Sequence, residues 1–346
     1  MQKICRSLSG KGFHVELVGR LRNNSVALQA ESFRQTRFKL LFNSGKLFYA
    51  EYNLRLFFYL LFAKADVFCA IDLDTLTAVY LAAKIKSTKI SYDAHEYFTE
   101  VPEVVRRPLV KRVWQWVEKT FVPKLDLAFT VSPAIANLFT TQYQIPFHVV
   151  MNVPLLPETD SAAVKQDRTI LYQGALNEGR GLEELIDAMQ GINAKLLMAG
   201  EGDLSAQLRQ QVRNKGLEKK VEFLGFVKPK ELKTLTASVT IGVNLLRNTG
   251  LSYYYSLSNK FFDYIHADVP QVCIDFPEYR SINTQYEVAV LVESCQPEEI
   301  SNAIERLLND RELYSRLQKN CDVCRQQLNW QQEEKKMIAL YNELLR

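Results

Sequence analysis

The stretch YQGALNEGRGLEELIDAM, residues 172–189, sets the fold. An apolar run that starts at Thr169 stops at Gly174, and a second cluster, Gly179-Arg180-Gly181, leads into a helical pattern. A strand, a glycine turn and a helix form the elementary anion-binding device. The free N–H groups of the first helical turn point at the anion, and the helix dipole favours its charge. The same order recurs at LLMAGEGDLSAQL, residues 196–208, where Gly200 and Gly202 stand in the turn. Gly174 and Gly200 each close a strand, at the sheet edge where open α/β folds bind ligands. Arg180 is placed to give a bound diphosphate two N–H donors at once.

Outward from these turns, strands and helices alternate. The second half reads as strands at 169–172, 194–198, 221–224, 239–243, 271–274 and 288–292, with helices at 182–189, 204–214, 229–236, 259–266 and 297–308. The first half reads as strands at 13–18, 67–71, 89–92, 127–131 and 147–151. Helices are expected at 75–84, with Asp74 as N-cap, and at 110–121. Ser132-Pro133 marks a further helix start. Between the halves, residues 152–161 are proline-rich and polar, as linkers are. Two such arrays predict an α/β protein with two Rossmann-like, doubly wound domains facing a cleft. The expected boundaries are 1–152, 153–325 and a closing helix at 326–346.

The chain opens in a helical pattern through Ile4 and Leu8. A doubly wound domain ordinarily begins with a strand and a turn, so that first strand is expected to be absent from the N-terminal domain. No cleavable signal pattern is expected, because no apolar run follows Lys3 and Arg6. The longest apolar stretch, 56–63, is far short of the roughly 20 residues of a membrane span. Hydrophobic residues make up 47% and charged residues 24%, an ordinary globular balance that excludes disordered and fibrous classes. The six cysteines suggest no pairing by spacing, and Cys321 and Cys324 fit one face of a charged helix at 311–327. Reduced cytoplasmic thiols are expected. Residues 1–150 carry 20 Lys and Arg against 12 Asp and Glu. Such an excess suits an anionic acceptor or an anionic membrane surface. Nucleic acid is not expected, since no basic stripe with interleaved aromatics recurs.

Taken in order, YQGALNEGRGLEELIDAM, LLMAGEGDLSAQL, VEFLGFVKPKEL (221–232) and SNKFFDYIHADVPQV (258–272) resemble the nucleotide-sugar half of the family-4 (group 1) glycosyltransferases. SYDAHEYF (91–98), TVSPAIANLF (130–139) and VVMNVPL (149–155) resemble that family's first domain. NWQQEEKKMIALYNELL (329–345) resembles its closing helix. The resemblance implies a GT-B fold and transfer of a sugar from a nucleotide donor to an acceptor hydroxyl, with retention and no required metal or cofactor. It places Arg180 and Lys260 at the donor diphosphate and Asp263 at the ribose. A carboxylate suits that role, because it accepts hydrogen bonds from both ribose hydroxyls. Donor contacts are further expected from Gly174, Ala175, Gly179, Gly200, Gly202, Ser258 and Asn259, with Phe226 and Val227 bordering the base. His95 is the expected cleft-facing histidine, with Asp93, Glu96 and Tyr255 on the acceptor side. His14, His148 and His266 read as structural.

Two residues depart from the family pattern. Tyr255 stands where a first glutamate is common, and Ala175 where an arginine is common. Diphosphate binding is then expected from Arg180, Lys260 and backbone amides. A nucleotide-sugar epimerase or hydrolase on the same fold, and a catalytically silent partner subunit, fit the same pattern. For the acceptor, the basic and aromatic stretch 34–64 suits a membrane interface, and the tyrosines at 253–255 suit sugar rings. The resulting expectation is a cytoplasmic enzyme of cell-surface polysaccharide or glycolipid synthesis, peripheral at the inner membrane face.

Overall fold

The computed structural model describes residues 1–22, 25–156 and 165–346. The second half of the expected linker, from residue 157, lies outside the described residues. The chain divides into two compact units, one of Met1–Met151 with Gln332–Arg346 and one of Asn152–Gln331.

The first unit opens with α1 (Gln2–Ser9), then β1 (Glu16–Leu21), β2 (Arg34–Lys39) and α2 (Gly45–Phe62). There follow β3 (Val67–Ile71), α3 (Leu73–Lys86), β4 (Lys89–Ala94), α4 (Pro102–Val105), α5 (Pro108–Phe121), β5 (Leu127–Thr130), α6 (Pro133–Tyr143) and β6 (Phe147–Val149). Strands β3-β4-β5-β6 form one parallel sheet in chain order, while β1 and β2 pair in a separate parallel sheet. Every residue of β5 is buried, and β4 is buried beyond Lys89, as strands of a parallel sheet covered on both faces are. The Ser132 side chain accepts from Ile135 N and caps α6, with Pro133 at its first position.

The second unit contains β7 (Thr169–Gln173), α7 (Leu182–Ala188), β8 (Lys195–Ala199), α8 (Ser205–Asn214), β9 (Val221–Gly225), α9 (Pro229–Ser238) and β10 (Ile241–Asn244). It continues with α10 (Leu251–Tyr254), α11 (Asn259–His266), β11 (Gln271–Ile274), α12 (Pro277–Tyr286), β12 (Ala289–Val292), α13 (Pro297–Asn309) and α14 (Arg311–Gln327). Its sheet is parallel, in the order β12-β11-β10-β7-β8-β9. The first strand, β7, therefore lies between β8 and β10, and chain order reverses there. At such a switch point the flanking connections leave toward opposite faces and open a crevice at the C-terminal strand ends.

The last helix, α15 (Trp330–Leu344), returns to the first unit. Its Tyr341 is buried, with the hydroxyl 3.1 Å from Ser91 Oγ and the ring edge-on to Phe13 and Phe129. Phe13 is thus a packing residue of the loop before β1, and the first strand begins three residues later than the pattern predicts. Asp74 is not the cap of α3: it lies in the first turn, and Asp72, at φ 55°, holds the N-cap position. The stretch 34–64 resolves into β2 and α2, which the alternation did not reveal. Phe48 and Tyr52 are buried there, and the Arg20 guanidinium lies 4.0 Å over the Phe48 ring. Much of this basic-aromatic stretch is therefore core. Cys321 and Cys324 share a buried face of α14 as free thiols. Among the described residues, no helix is long and apolar enough to cross a membrane.

Candidate functional site

The two glycine turns of the second unit are built onto one another. Gly174 N donates to Ala199 O at 3.0 Å, Leu176 N to Glu201 O at 3.2 Å, and Leu204 N to Leu176 O at 2.9 Å. A Cβ on Gly200 would lie 1.9 Å from Gly174 O, and one on Gly202 would lie 2.6 Å from Leu176 O. Glycine is required at both by this close approach of backbones. The ends of β7 and β8 therefore form one rigid lip at the switch point.

Across this lip stands α11. Its Lys260 is 5% exposed, and its Nζ is buried without a hydrogen-bond partner, 4.2 Å over the centre of the Tyr172 ring. Burial pushes the Lys260 pKa well below the ordinary lysine value, and the nearby Arg180 pushes it further, with Cys273 opposing. Arg180 Nε is buried and likewise unpartnered. A Cβ on Gly174 would lie 4.0 Å from Lys260 Cε, so the lysine stem runs beside the glycine turn. Two basic side chains with buried nitrogens thus stand beside exposed backbone at Gly174, the kinds of donor that an anion such as a phosphate accepts from.

The loop carrying Arg180 is held from β10. Arg247 N donates to Gly179 O at 2.8 Å, and its guanidinium pairs with Glu184 and lies 3.8 Å from Glu183. Gly179 and Gly181 take φ of 80° and 62°. A Cβ on Gly181 would sit 2.9 Å from Leu245 Cβ, just past β10. The loop can thus make its turn and press against β10 only with glycine there.

Asp263 is half-buried on α11, and its Oδ2 accepts from Gln173 Nε2 at 2.8 Å. Gln173 Oε1 in turn accepts from Thr236 Oγ1 at 2.7 Å. One carboxylate oxygen is therefore fixed from β7. Ser258 Oγ donates to Asn244 Oδ1 at 2.9 Å, and Ser258 N to the Tyr279 hydroxyl at 3.0 Å. Asn259 Oδ1 accepts from Asn152 Nδ2 at 2.9 Å. Ala175 follows the turn, and its carbonyl accepts from the Tyr172 hydroxyl at 2.8 Å. Phe226 is 80% exposed past β9, whereas Val227 packs on the core of the unit. Tyr255 lies edge-on to Tyr254.

In the first unit, His95 follows β4. Its N donates to Asp72 Oδ1 at 2.9 Å, and its Nε2 lies 3.2 Å from both Asp93 Oδ2 and Met1 Sδ. Burial opposes charge on the ring, but the adjoining Asp93 outweighs it and raises the His95 pKa. Asp93 is buried and Glu96 exposed.

The structure thus brings Gly174, Lys260 and Arg180 together, and pairs Asp93 with His95. Several supporting residues escaped the sequence reading: Tyr172, Gln173, Thr236, Arg247, Asn244, Tyr279 and Asp72. One signal was present, since TILYQ closes an otherwise apolar strand with two polar-tipped side chains, Tyr172 and Gln173.

Comparisons with known proteins bear on the fold. Residues 158–322 match the model of the glycosyl transferases group 1. An uncharacterized glycosyltransferase of Methanocaldococcus jannaschii is 41% identical over 88 residues, a match spanning 24% of this chain and only 23% of that protein. A sucrose-phosphate synthase structure from Thermosynechococcus elongatus superposes with a TM-score of 0.82 at 17% identity, covering 99% of this chain and 92% of that one. HepE of Anabaena, solved with UDP and glucose, superposes with a TM-score of 0.73 at 16% identity, covering 90% and 86%. The fold is GT-B, two Rossmann-like α/β units with parallel sheets, and the segment similar to the group 1 glycosyl transferases lies within the second unit.

Proposed function

We propose that the protein transfers a sugar from a nucleotide-sugar donor to an acceptor hydroxyl, with retention, in the synthesis of a surface polysaccharide or glycolipid. The observation that carries this reading is the pair of buried, unpartnered donors Lys260 Nζ and Arg180 Nε beside the Gly174 turn. In the reaction the bond from the anomeric carbon to the diphosphate oxygen breaks, and a bond to the acceptor oxygen forms. The acceptor proton passes to the departing diphosphate, on whose oxygen negative charge gathers as the bond breaks. Preorganised donors at that position stabilise the charge as it develops, without reorganisation. Asp263, fixed by Gln173, holds the ribose by accepting from its hydroxyls. His95, oriented by Asp93 and Asp72, hydrogen-bonds the sugar or acceptor hydroxyl. HepE was solved with UDP and glucose, which makes UDP the first nucleotide to test.

Calorimetry against UDP-, GDP- and dTDP-sugars, repeated with Arg180→Ala and Asp263→Ala, tests the reading. Binding of one donor, weakened at least about tenfold by each substitution, is the expected result. Product should form only when acceptor is added. Failure to bind any nucleotide overturns the proposal, and turnover without acceptor replaces it with hydrolysis or epimerisation.

A further inference from the structure

Helix α5 presents a face that its own unit does not use. Leu109 is 74% exposed, Val113 58% and Trp116 61%. Spaced by four and three residues, they form one apolar stripe over two turns. The opposite side of the helix, with Val117, Glu118 and Phe121, is buried. The stripe is flanked by Arg107, Arg112 and Lys119, all exposed. Lys111, by contrast, is tied to Glu100 at 2.6 Å. The one acid of the helix, Glu118, points inward and is 2% exposed. The outer face of α5 therefore combines large apolar side chains with positive charge and no carboxylate of its own. Helix α2 also exposes Leu54, Phe58 and Phe62, but Arg55, the cation next to them in the helix, is paired with Glu51 at 2.8 Å.

We propose that the outer face of α5 rests on an anionic lipid bilayer. Leu109, Val113 and Trp116 enter the boundary between headgroups and acyl chains, where an indole ring is favoured. Arg107, Arg112 and Lys119 reach lipid phosphates while their stems lie on the apolar boundary. The excess of cations over carboxylates across residues 1–150 adds long-range attraction of the same sign. This interaction is independent of the transfer reaction, and its test measures no turnover.

The full chain is sedimented with vesicles of phosphatidylcholine mixed with phosphatidylglycerol, and with vesicles of phosphatidylcholine alone. Binding is expected only to the anionic vesicles, and it should weaken with salt. Arg112→Glu with Lys119→Glu should lower partitioning at least about tenfold, and Leu109→Ser with Val113→Ser should do likewise. All four positions are exposed, so neither double variant removes core packing. Of the three tryptophans, Trp330 is 1% exposed and Trp114 packs against Tyr49 and Phe98. A blue shift of emission on binding should thus come from Trp116, and Trp116→Phe should keep binding but lose the shift. Equal affinity for neutral vesicles, or binding that both double variants leave intact, overturns the proposal. So does a dimer in solution that Leu109→Ser with Val113→Ser converts to monomer, because a second copy would then cover the face.

Discussion

Lys260 concentrates the chemistry of the second unit in one atom. Its Nζ has an aromatic face beneath it and no hydrogen-bond acceptor. Burial thus holds the lysine at a depressed pKa, which destabilises the folded state wherever the unfolded lysine is charged. Lys260→Met should raise stability at neutral pH by roughly 1–3 kcal/mol, read as a higher denaturation midpoint, while weakening UDP binding severely. A bound diphosphate supplies the missing counter-charge and restores the proton. Donor binding should therefore take up a proton at pH values between the lysine pKa of the free protein and that of the complex, and affinity should fall as pH rises through that range. Calorimetry in buffers of different ionisation heat measures that uptake, and Lys260→Met should abolish it.

At the scale of elements, the site is a set of loops held by neighbouring strands. The Arg180 loop gains its position from Arg247, which no local sequence pattern singles out. Arg247→Ala removes the pairing to Glu184 while leaving the backbone bond from Arg247 N to Gly179 O available. It should weaken UDP binding about tenfold through a looser loop, at a stability cost of about 1 kcal/mol. A drop in stability without loss of UDP affinity would assign Arg247 to packing alone. In the first unit, Glu118 on α5 accepts from Thr99 Oγ1 at 3.2 Å, tying α5 to the segment after His95. Burial raises its pKa to about 7, against an ordinary value of 4.5. A carboxyl whose folded pKa is raised stabilises the fold when protonated, and that gain is lost as pH rises from the unfolded value through about 7. Urea unfolding should show Glu118→Gln flattening the pH dependence between acidic and slightly alkaline conditions, with the largest difference from the parent on the alkaline side.

For the whole molecule, the first unit is discontinuous in sequence. Its core is completed by α15, whose Tyr341 lies among Ser91, Phe13 and Phe129. Tyr341→Ala should destabilise this unit by roughly 3 kcal/mol, as removal of a large buried aromatic does. Truncation after Gln331 should unfold it, whereas UDP binding by the second unit should persist. Loss of UDP binding in the truncated chain would show that the second unit depends on the first for its fold.

The sequence by itself determined the two-unit α/β architecture. Parallel strands buried on both faces leave apolar runs, and the turns at their ends need glycine, so both signals are local. Helix α11 and strands β3 and β11 fall where the pattern places them; Gly174 and Arg180 were nameable from their turns, and Lys260 from the family resemblance of its segment. The tertiary structure alone decided what surrounds them. Tyr172 beneath Lys260, Gln173 against Asp263 and Arg247 against Glu184 meet across strands or between helix and sheet, and no spacing rule connects them. The same holds for α2, which is apolar on its buried and exposed sides alike and so carries little periodicity to read. Short-range patterning fixes which elements form; the partners of each buried polar group depend on which elements the sheet order brings side by side.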